Sequence, residues 1–342
     1  MSKDQNISLV IPSISSSFFV NDLLKNIFLW SLVPSEIIFI NTSKNKIEIY
    51  DELKKLIKKK KIDVKIIKKQ LYPGAARNLG ILNTKYNYIV FLDMNTVVYN
   101  QDWLKVNFNY MLKYKLDGLL GQTYYLANSY KEKIIRASTF GKRVLTTIPG
   151  SIYTKKTIKK VGNFNSITRA GEDADWLSRL NNLNLNVKNS LQPIYYKGLY
   201  NVTYFDIVKK WFRNYSFSAD LPHLKNQKNL YFLLLFTFIF LSLVNWSSPK
   251  LNLDPDLEIF IPHVSKIFIG LSVLIYISIR GFYIPVIKKI KLRYLLPYNI
   301  FLISIFSFTL DVVKLLAFSL SYSLKWLNLD IKKYKKLQLL IQ

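Results

Sequence analysis

Residues 88–96 read YIVFLDMNT. A short apolar run bounded by polar residues reads as a buried strand, and the aspartate that ends it, Asp93, stands at the strand's carboxyl end. Toward the N-terminus the same unit recurs. Apolar strands are expected at 7–11, 36–40 and 63–67, separated by helices at 18–30, 48–60 and 73–82. Ser15, Ser16 and Ser17 are candidate caps of the first helix, and Pro73 opens the third. Strands alternating with helices argue for an α/β domain with a mostly parallel sheet and helices on both faces. Such sheets bind ligands at the carboxyl ends of their strands. The site is therefore expected in the loops after Ile11, Ile40, Ile67 and Leu92, which carry IPSIS, INTSKN, LYPGAARNLG and LDMNT.

Composition narrows the chemistry. There is no cysteine in 342 residues, which excludes disulfides, thiolate metal sites and cysteine nucleophiles. Neither of the two histidines, His223 and His263, falls before residue 223, so a histidine-rich metal site or a Ser-His-Asp triad is excluded among the strands and loops of the front domain. Chemistry must rest on carboxylates. The formal charge of +28 invites nucleic acid, but it is lysine spread among Asn and Ile, with no zinc finger, helix-turn-helix or aromatic RNA-binding signature. Anionic lipid head groups and sugar diphosphates suit it better. The opening residues lack a signal-peptide pattern, so the N-terminus is expected to stay cytoplasmic.

Three clusters carry candidate function. In PGAARNLG, Gly74 lets backbone approach a ligand and Arg77 meets an anion near a positive helix end, or Gly74 is a turn residue and Arg77 a surface cation. Asp93 and Asn95 offer two oxygen ligands to Mg2+ or Mn2+, or simply end a strand and make a turn. GEDADWLSRL (171–180) crowds Glu172, Asp173 and Asp175 into a helix's first turn, either as dipole-compatible charge or as a base beside a sugar hydroxyl.

In order along the chain, SLVIPS, IIFINTS, PGAARNLG, FLDMNT, and PGSIYTKKTIKKVGNFN leading into GEDADWLSRL resemble the family 2 glycosyltransferases with the GT-A fold, over residues 7–180. The resemblance implies a nucleotide-sugar donor contacted by Pro12, Asn41, Arg77 and Asp93. It implies a divalent cation held by Asp93 and Asn95, Asp173 as general base beside Glu172, and acceptor-side segments at Gly150-Ser151 and 162–164. Asn41 and Asn95 depart from the family's usual carboxylates, keeping an oxygen acceptor but losing charge. A site with Asp93 as its one anionic ligand holds a cation weakly until the donor brings phosphates.

The composition shifts near Lys228, which sets the expected domains: a catalytic unit at 1–228 and a membrane region at 229–342. Within the first, 204–219 interleaves aromatics with Lys209, Lys210 and Arg213, as at a membrane interface. Arg213 is also a candidate for the donor or a lipid phosphate. In the second, 229–248 and 267–287 are long enough to span, with acidic DPDLE between them and basic KKIKLR after. The positive-inside rule puts the catalytic domain on the cytoplasmic side of an inner membrane, in a multi-pass chain. The run at 294–328 places Asp311, Lys314, Ser321, Lys325 and Asn328 near one face, which suits a surface or re-entrant helix.

Three functions fit. One is sugar transfer to a lipid-linked or polysaccharide acceptor in cell-surface glycan synthesis. Another is transfer to polyprenyl phosphate. The third is a non-catalytic membrane protein that kept the fold.

Overall fold

The computed structural model describes residues 6–13, 16–243, 250–254, 257–260 and 264–327. Ser15, Asn328, His263, the end of the 229–248 run, part of DPDLE and the basic tail lie outside the described residues.

Four strands, β1 (Ile7–Ser13), β2 (Glu36–Asn41), β3 (Asp63–Lys68) and β4 (Tyr88–Phe91), pair in parallel in the order β3-β2-β1-β4. They are joined by α1 (Ser17–Phe28), α2 (Asp51–Lys60) and α3 (Pro73–Leu82). Strand side chains alternate between faces, and both faces here meet apolar partners. Ile7, Leu9 and Ile11 of β1, Ile37 and Phe39 of β2 and Val90 of β4 join Val20, Leu23 and Ile27 of α1 in one core. Ile38 and Ile40 turn the other way onto Ala76 of α3. Continuous apolar runs in place of polar alternation follow from this double burial. β3 is the edge, and its lysines fit an unpaired rim.

The chain continues with β5 (Thr96–Val97), α4 (Trp103–Lys113), β6 (Gly118–Tyr125), α5 (Tyr130–Ser138), β7 (Leu145–Thr154) and α6 (Lys155–Val161). After these come α7 (Glu172–Asn181), β8 (Val187–Asn189), β9 (Ile194–Tyr196) and α8 (Tyr204–Ser218). β7 lies antiparallel between β4 and β6, and β9 pairs with β6 and β5, which makes one mixed nine-stranded sheet. Ile89 and Phe91 of β4 join Tyr153, Phe164 and Trp176 in a second core on the α7 side. The Phe164 and Trp176 rings stack at 5.0 Å, and the Trp176 indole donates to the Gly162 carbonyl at 2.9 Å. This pins α7 beside the end of β4.

Beyond a 3-10 turn, Pro222–Leu224, lie α9 (Lys225–Leu243), the hairpin β10 (Lys250–Asp254) and β11 (Leu257–Phe260), and α10 (Val264–Tyr276). A π-helical stretch, Ile277–Tyr283, links α10 to α11 (Ile284–Ile287), and α12 (Leu292–Leu295) and α13 (Asn299–Trp326) follow. Among the described residues, Phe268–Ile287 and Asn299–Trp326 are long and apolar enough to cross a membrane, with mean hydropathy 1.7 and 2.1. α13 is one continuous helix laid along the catalytic unit. Ile303 packs on Ile134 of α5, Phe306 and Leu310 on Ile207 of α8, and Leu324 on Phe217. Its outer face is apolar too, with Phe301, Ile305, Phe308 and Leu316 exposed.

The polar face that the sequence assigns to a membrane surface is turned inward at Asp311, Lys314 and Ser321. Asp311 pairs with Arg280 at 2.8 Å and with Lys314 at 3.2 Å, and accepts from the Tyr231 and Tyr276 hydroxyls at 2.6 and 2.9 Å. Charges among apolar helices are costly unless paired, so these residues tie α9, α13 and the π-helical stretch together.

Candidate active site

The register of the parallel strands aligns their carboxyl ends. Ser13 lies opposite Asn41 and Asn41 opposite Lys68, while the Leu92 amide donates to Val10 as β4 ends. Asp93 follows directly. Its carbonyl accepts from the amide and hydroxyl of Thr96, closing a turn over Met94 and Asn95.

Arg77 joins the motifs. α3 carries it from the third loop to the mouth of the sheet, where its side chain is buried. One guanidinium nitrogen, Nη1, donates to Glu172 Oε1 at 2.9 Å and lies 2.7 Å from Asp173 Oδ1. The other, Nη2, donates to Asp93 Oδ1 at 3.2 Å, and the guanidinium stands 5.7 Å from the Phe164 ring centre. One cation thus gathers three carboxylates from two motifs 80 residues apart in sequence (93 and 173). Burial pulls Arg77 down, but Asp173, Asp93 and Glu172 together hold it well above its usual range. It is a permanent cation.

Two glycines permit this approach. A Cβ on Gly74 would stand 2.1 Å from the Asn165 carbonyl oxygen and 3.3 Å from the Glu172 Cβ. Of the two sequence readings of Gly74, close approach to a ligand or a plain turn, neither names this neighbour: it faces the chain's own 165–172 segment, letting α3 and α7 converge. Gly171, at φ +84°, turns the chain into α7 with Glu172 and Asp173 as its first residues. Asp175, the third acid of that turn, pairs instead with Arg179 at 3.1 Å.

Burial raises Asp173 to about 8; Arg77 draws it back, while Glu172 and Asp93 push it further up. A carboxyl in this range is poised to exchange a proton near neutral pH. Around it lies a cleft of about 530 Å3, lined by Pro12, Thr42, Leu71, Pro73, Arg77, Asp93, Met94, Asn95, Arg169, Ala170, Gly171, Glu172, Asp173, Tyr196, Lys210, Arg213 and Asn214.

The structure thus brings Pro12, Arg77, Asp93, Asn95, Glu172 and Asp173 to one cleft. Asn41 is apart. It is buried, donates to the Asn45 carbonyl at 2.7 Å and accepts from the Ser43 amide and hydroxyl at 3.0 and 2.7 Å. Its amide ties its own loop, and Thr42 lines the cleft beside it. Gly150, Ser151 and 162–164 do not line the cleft either; Ser151 of β7 is buried, and Phe164 is buried in the core beside α7.

Asn95 is exposed and lines the cleft with Tyr196. Asp93 and Asn95 are hard oxygen donors, of the type Mg2+ and Mn2+ prefer. They fit a cation whose other ligands come from a bound phosphate group. Among the described residues no cluster of three metal-binding acids or histidines stands free to hold one alone.

The sequence reading assigned α8 mainly to a membrane interface and kept Arg213 as a secondary candidate. Lys210 and Arg213 of α8, with Arg169, form the cleft's cationic wall, and the neutral Asn214 lines it beside them. Burial lowers Lys210, with Arg213 adding to the effect and Asp93 opposing it. Burial and then Arg169 lower Arg213, whose buried Nε has no hydrogen-bond partner among the described residues. Crowded, desolvated cations of this kind are complementary to an anion. The i, i+3 spacing of Lys210 and Arg213 was the available signal, since it sets both on one helix face. Lys314 of α13 lies over the Tyr215 ring of the same helix at 5.3 Å.

No curated protein matches the chain. Solved structures resemble it at low identity. S. aureus TarS is 13% identical over 94% of this chain with a TM-score of 0.42, and the chain spans 55% of that protein's length. TarS 1-349 in complex with UDP-GlcNAc is 12% identical over 95% of this chain and 93% of its own, TM-score 0.43. The mannosyltransferase PcManGT from Pyrobaculum calidifontis, in complex with GDP-Man and Mn2+, is 9% identical over 92% and 88%, TM-score 0.49. The family model of glycosyl transferase family 2 matches residues 8–170, from β1 to the loop before α7. That match lies over the sheet, Arg77 and Asp93, and identifies residues 8–170 as a glycosyl transferase family 2 domain.

Proposed function

We propose that this chain is a membrane-bound inverting glycosyltransferase, which moves a sugar from a nucleotide-sugar donor to a lipid-linked or polysaccharide acceptor in cell-surface glycan synthesis. The observation that carries the reading is Arg77 holding Asp93 and Asp173 on one guanidinium, at 3.2 and 2.7 Å, at the floor of a cleft walled by Lys210 and Arg213.

The donor's nucleotide lies against Pro12 and Thr42, with its diphosphate between Asp93 and the cationic wall. Arg77, saturated by carboxylates, positions Asp93, Glu172 and Asp173 rather than binding phosphate itself. Asp173 accepts the proton of an acceptor hydroxyl. That oxygen forms a bond to the anomeric carbon as the bond to the diphosphate oxygen breaks on the opposite face, which inverts the centre. The nucleoside diphosphate leaves toward Lys210, Arg213 and Arg169, where positive charge meets the charge that develops on it. A Mg2+ or Mn2+ ion held by Asp93 and Asn95 with the donor phosphates would add charge neutralisation at the leaving group.

The two apolar stretches, Phe268–Ile287 and Asn299–Trp326, support a membrane anchor. With the apolar run at 229–248 crossing outward ahead of Phe268–Ile287, the basic segment after the latter supports a catalytic unit on the cytoplasmic side of a bacterial-type inner membrane, in contact with anionic lipids. The domain boundary then falls near residue 228, at the start of α9.

The cations of α8 favour a second acceptor class, a bare polyprenyl phosphate, because that acceptor is itself anionic. Its transfer would depend less on Asp173. The reading is tested by incubating the full chain with a panel of nucleotide-sugars and following binding by thermal stabilisation and turnover by release of nucleoside diphosphate. One or more donors should raise the melting temperature and be consumed; no binding to any nucleoside diphosphate, with or without Mn2+, would contradict it.

A further inference from the structure

The turn over Met94 and Asn95 has two sides. The catalytic cleft lies on one, and on the other a groove of about 800 Å3 runs between α1 and the 197–202 turn, with Met94 and Asn95 lining both. Its volume falls in the roughly 300–1,000 Å3 range of small-ligand sites.

The lining is out of place on an idle surface. α1 buries Val20, Leu23, Leu24 and Ile27 against the sheet, so helical spacing sends Phe18 and Asp22 to the opposite face. Phe18 is 63% exposed, and its ring meets that of Phe19 edge to face at 5.5 Å. Across the groove Tyr99 is 60% exposed, yet its ring is held 4.8 Å from Tyr195. Single exposed aromatics are ordinary. Three in one concavity that continues a catalytic cleft form a contiguous patch that calls for a ligand.

Polar groups are interleaved with the rings. Asp22 stands one turn after Phe18, Asn95 on the shared wall and Lys197 on the facing turn. Flat apolar faces rimmed by hydrogen-bonding groups complement a sugar, whose C–H face packs on an aromatic ring while its hydroxyls pair at the edge. A hydrocarbon chain in the same groove would desolvate Asp22 and Lys197 without compensation.

We infer that this groove binds the sugar units next to the reacting residue of a saccharide acceptor. The inference rests on the glycosyltransferase reading of the adjoining cleft and names the acceptor class for it. The terminal sugar presents its hydroxyl at Asp173, and the rest of the chain leaves over Asn95 between Phe18 and Tyr99. The enzyme then favours an acceptor of two or more sugars over a monosaccharide.

The full-length chain in nanodiscs is given UDP-GlcNAc and GDP-mannose, and slow donor hydrolysis is measured first, because water needs no groove. Transfer is then compared between mono- and tetrasaccharides of N-acetylglucosamine, mannose, glucose and galactose, with polyprenyl phosphate alongside. Wild type should show a lower KM for one tetrasaccharide than for its monosaccharide. The exposed pair Phe18→Ala/Tyr99→Ala should raise the tetrasaccharide KM about tenfold and leave donor KM, donor hydrolysis and monosaccharide KM unchanged. Tyr99→Phe, which keeps the ring, should behave as wild type.

Intact hydrolysis with no chain-length preference overturns the groove alone. So does an effect of the pair confined to polyprenyl phosphate, which would make the groove a lipid site. Failure of the wild type to hydrolyse or transfer from any donor would overturn the catalytic reading of the cleft, and the groove assignment with it.

Discussion

The Arg77 guanidinium lies 2.7 Å from the Asp173 carboxylate, yet Asp173 is raised to about 8 rather than lowered. Burial exceeds the attraction of the one cation, because that cation is shared with Glu172 and Asp93, whose own charges repel Asp173. A strong ion pair alone would have left a weak base. Shared, it leaves a base with a pKa near working pH.

The first consequence is a pH profile. Asp173 must be unprotonated to accept the acceptor's proton, so kcat/KM should rise with pH to a plateau above about 8. Below it the rate should fall about tenfold per pH unit. A profile flat from pH 5 to 9 would remove Asp173 from the role.

Stability should respond in the opposite sense. The folded pKa of Asp173 lies above its ordinary 3.8, so the folded state binds more protons than the unfolded one between those values. This group's contribution is complete below about 4 and is lost as pH rises through about 8. Asp173→Asn should therefore melt higher than wild type at pH 8, with the gap closing toward pH 5. Thermal unfolding monitored across that range checks the sign.

Removing Arg77 should be far more damaging than removing any one of its partners. Arg77→Met leaves the buried Glu172, and the partly exposed Asp93 and Asp173 beside it, without a counter-charge, at a cost of about 3–5 kcal/mol. Adding Glu172→Gln should recover part of that loss. Denaturant unfolding of the two single variants and the double gives the coupling.

The cationic wall and the metal pair should share the diphosphate. Chelation by EDTA should weaken donor binding without abolishing it, and Lys210→Ala with Arg213→Ala should weaken it further, by about tenfold each. Calorimetric titration of the donor measures both. Complete loss of binding on chelation would mean that Lys210 and Arg213 do not hold the phosphates.

The parallel half of the fold was legible because both of its faces are buried, which leaves unbroken apolar strands such as 36–40 between turn residues. The edge of β2 and the start of α3 fell within a residue of expectation for the same reason. The antiparallel half was not read as strands. β6 and β7 carry Thr, Gln and Gly among their apolar residues, and their pairing depends on contacts distant in sequence. At the site, the acids were visible as motifs, but Arg77 as their common partner was not, since spacing carries no information about convergence across 80 residues (93 to 173). Asn41 looked like a ligand by position alone; its hydrogen bonds to Ser43 and Asn45 show a loop tie. Asp311 and Lys314 looked solvated because they share a helix face, and the pairing with Arg280 lay in another segment.

The central claim is that Asp173 takes the acceptor's proton in a nucleotide-sugar transferase. Single-turnover transfer by Asp173→Asn, with donor affinity measured on the same preparation, tests it most directly. Transfer should fall about 10²–10⁴-fold while donor affinity stays close to that of wild type. Full transfer by the variant would contradict the account.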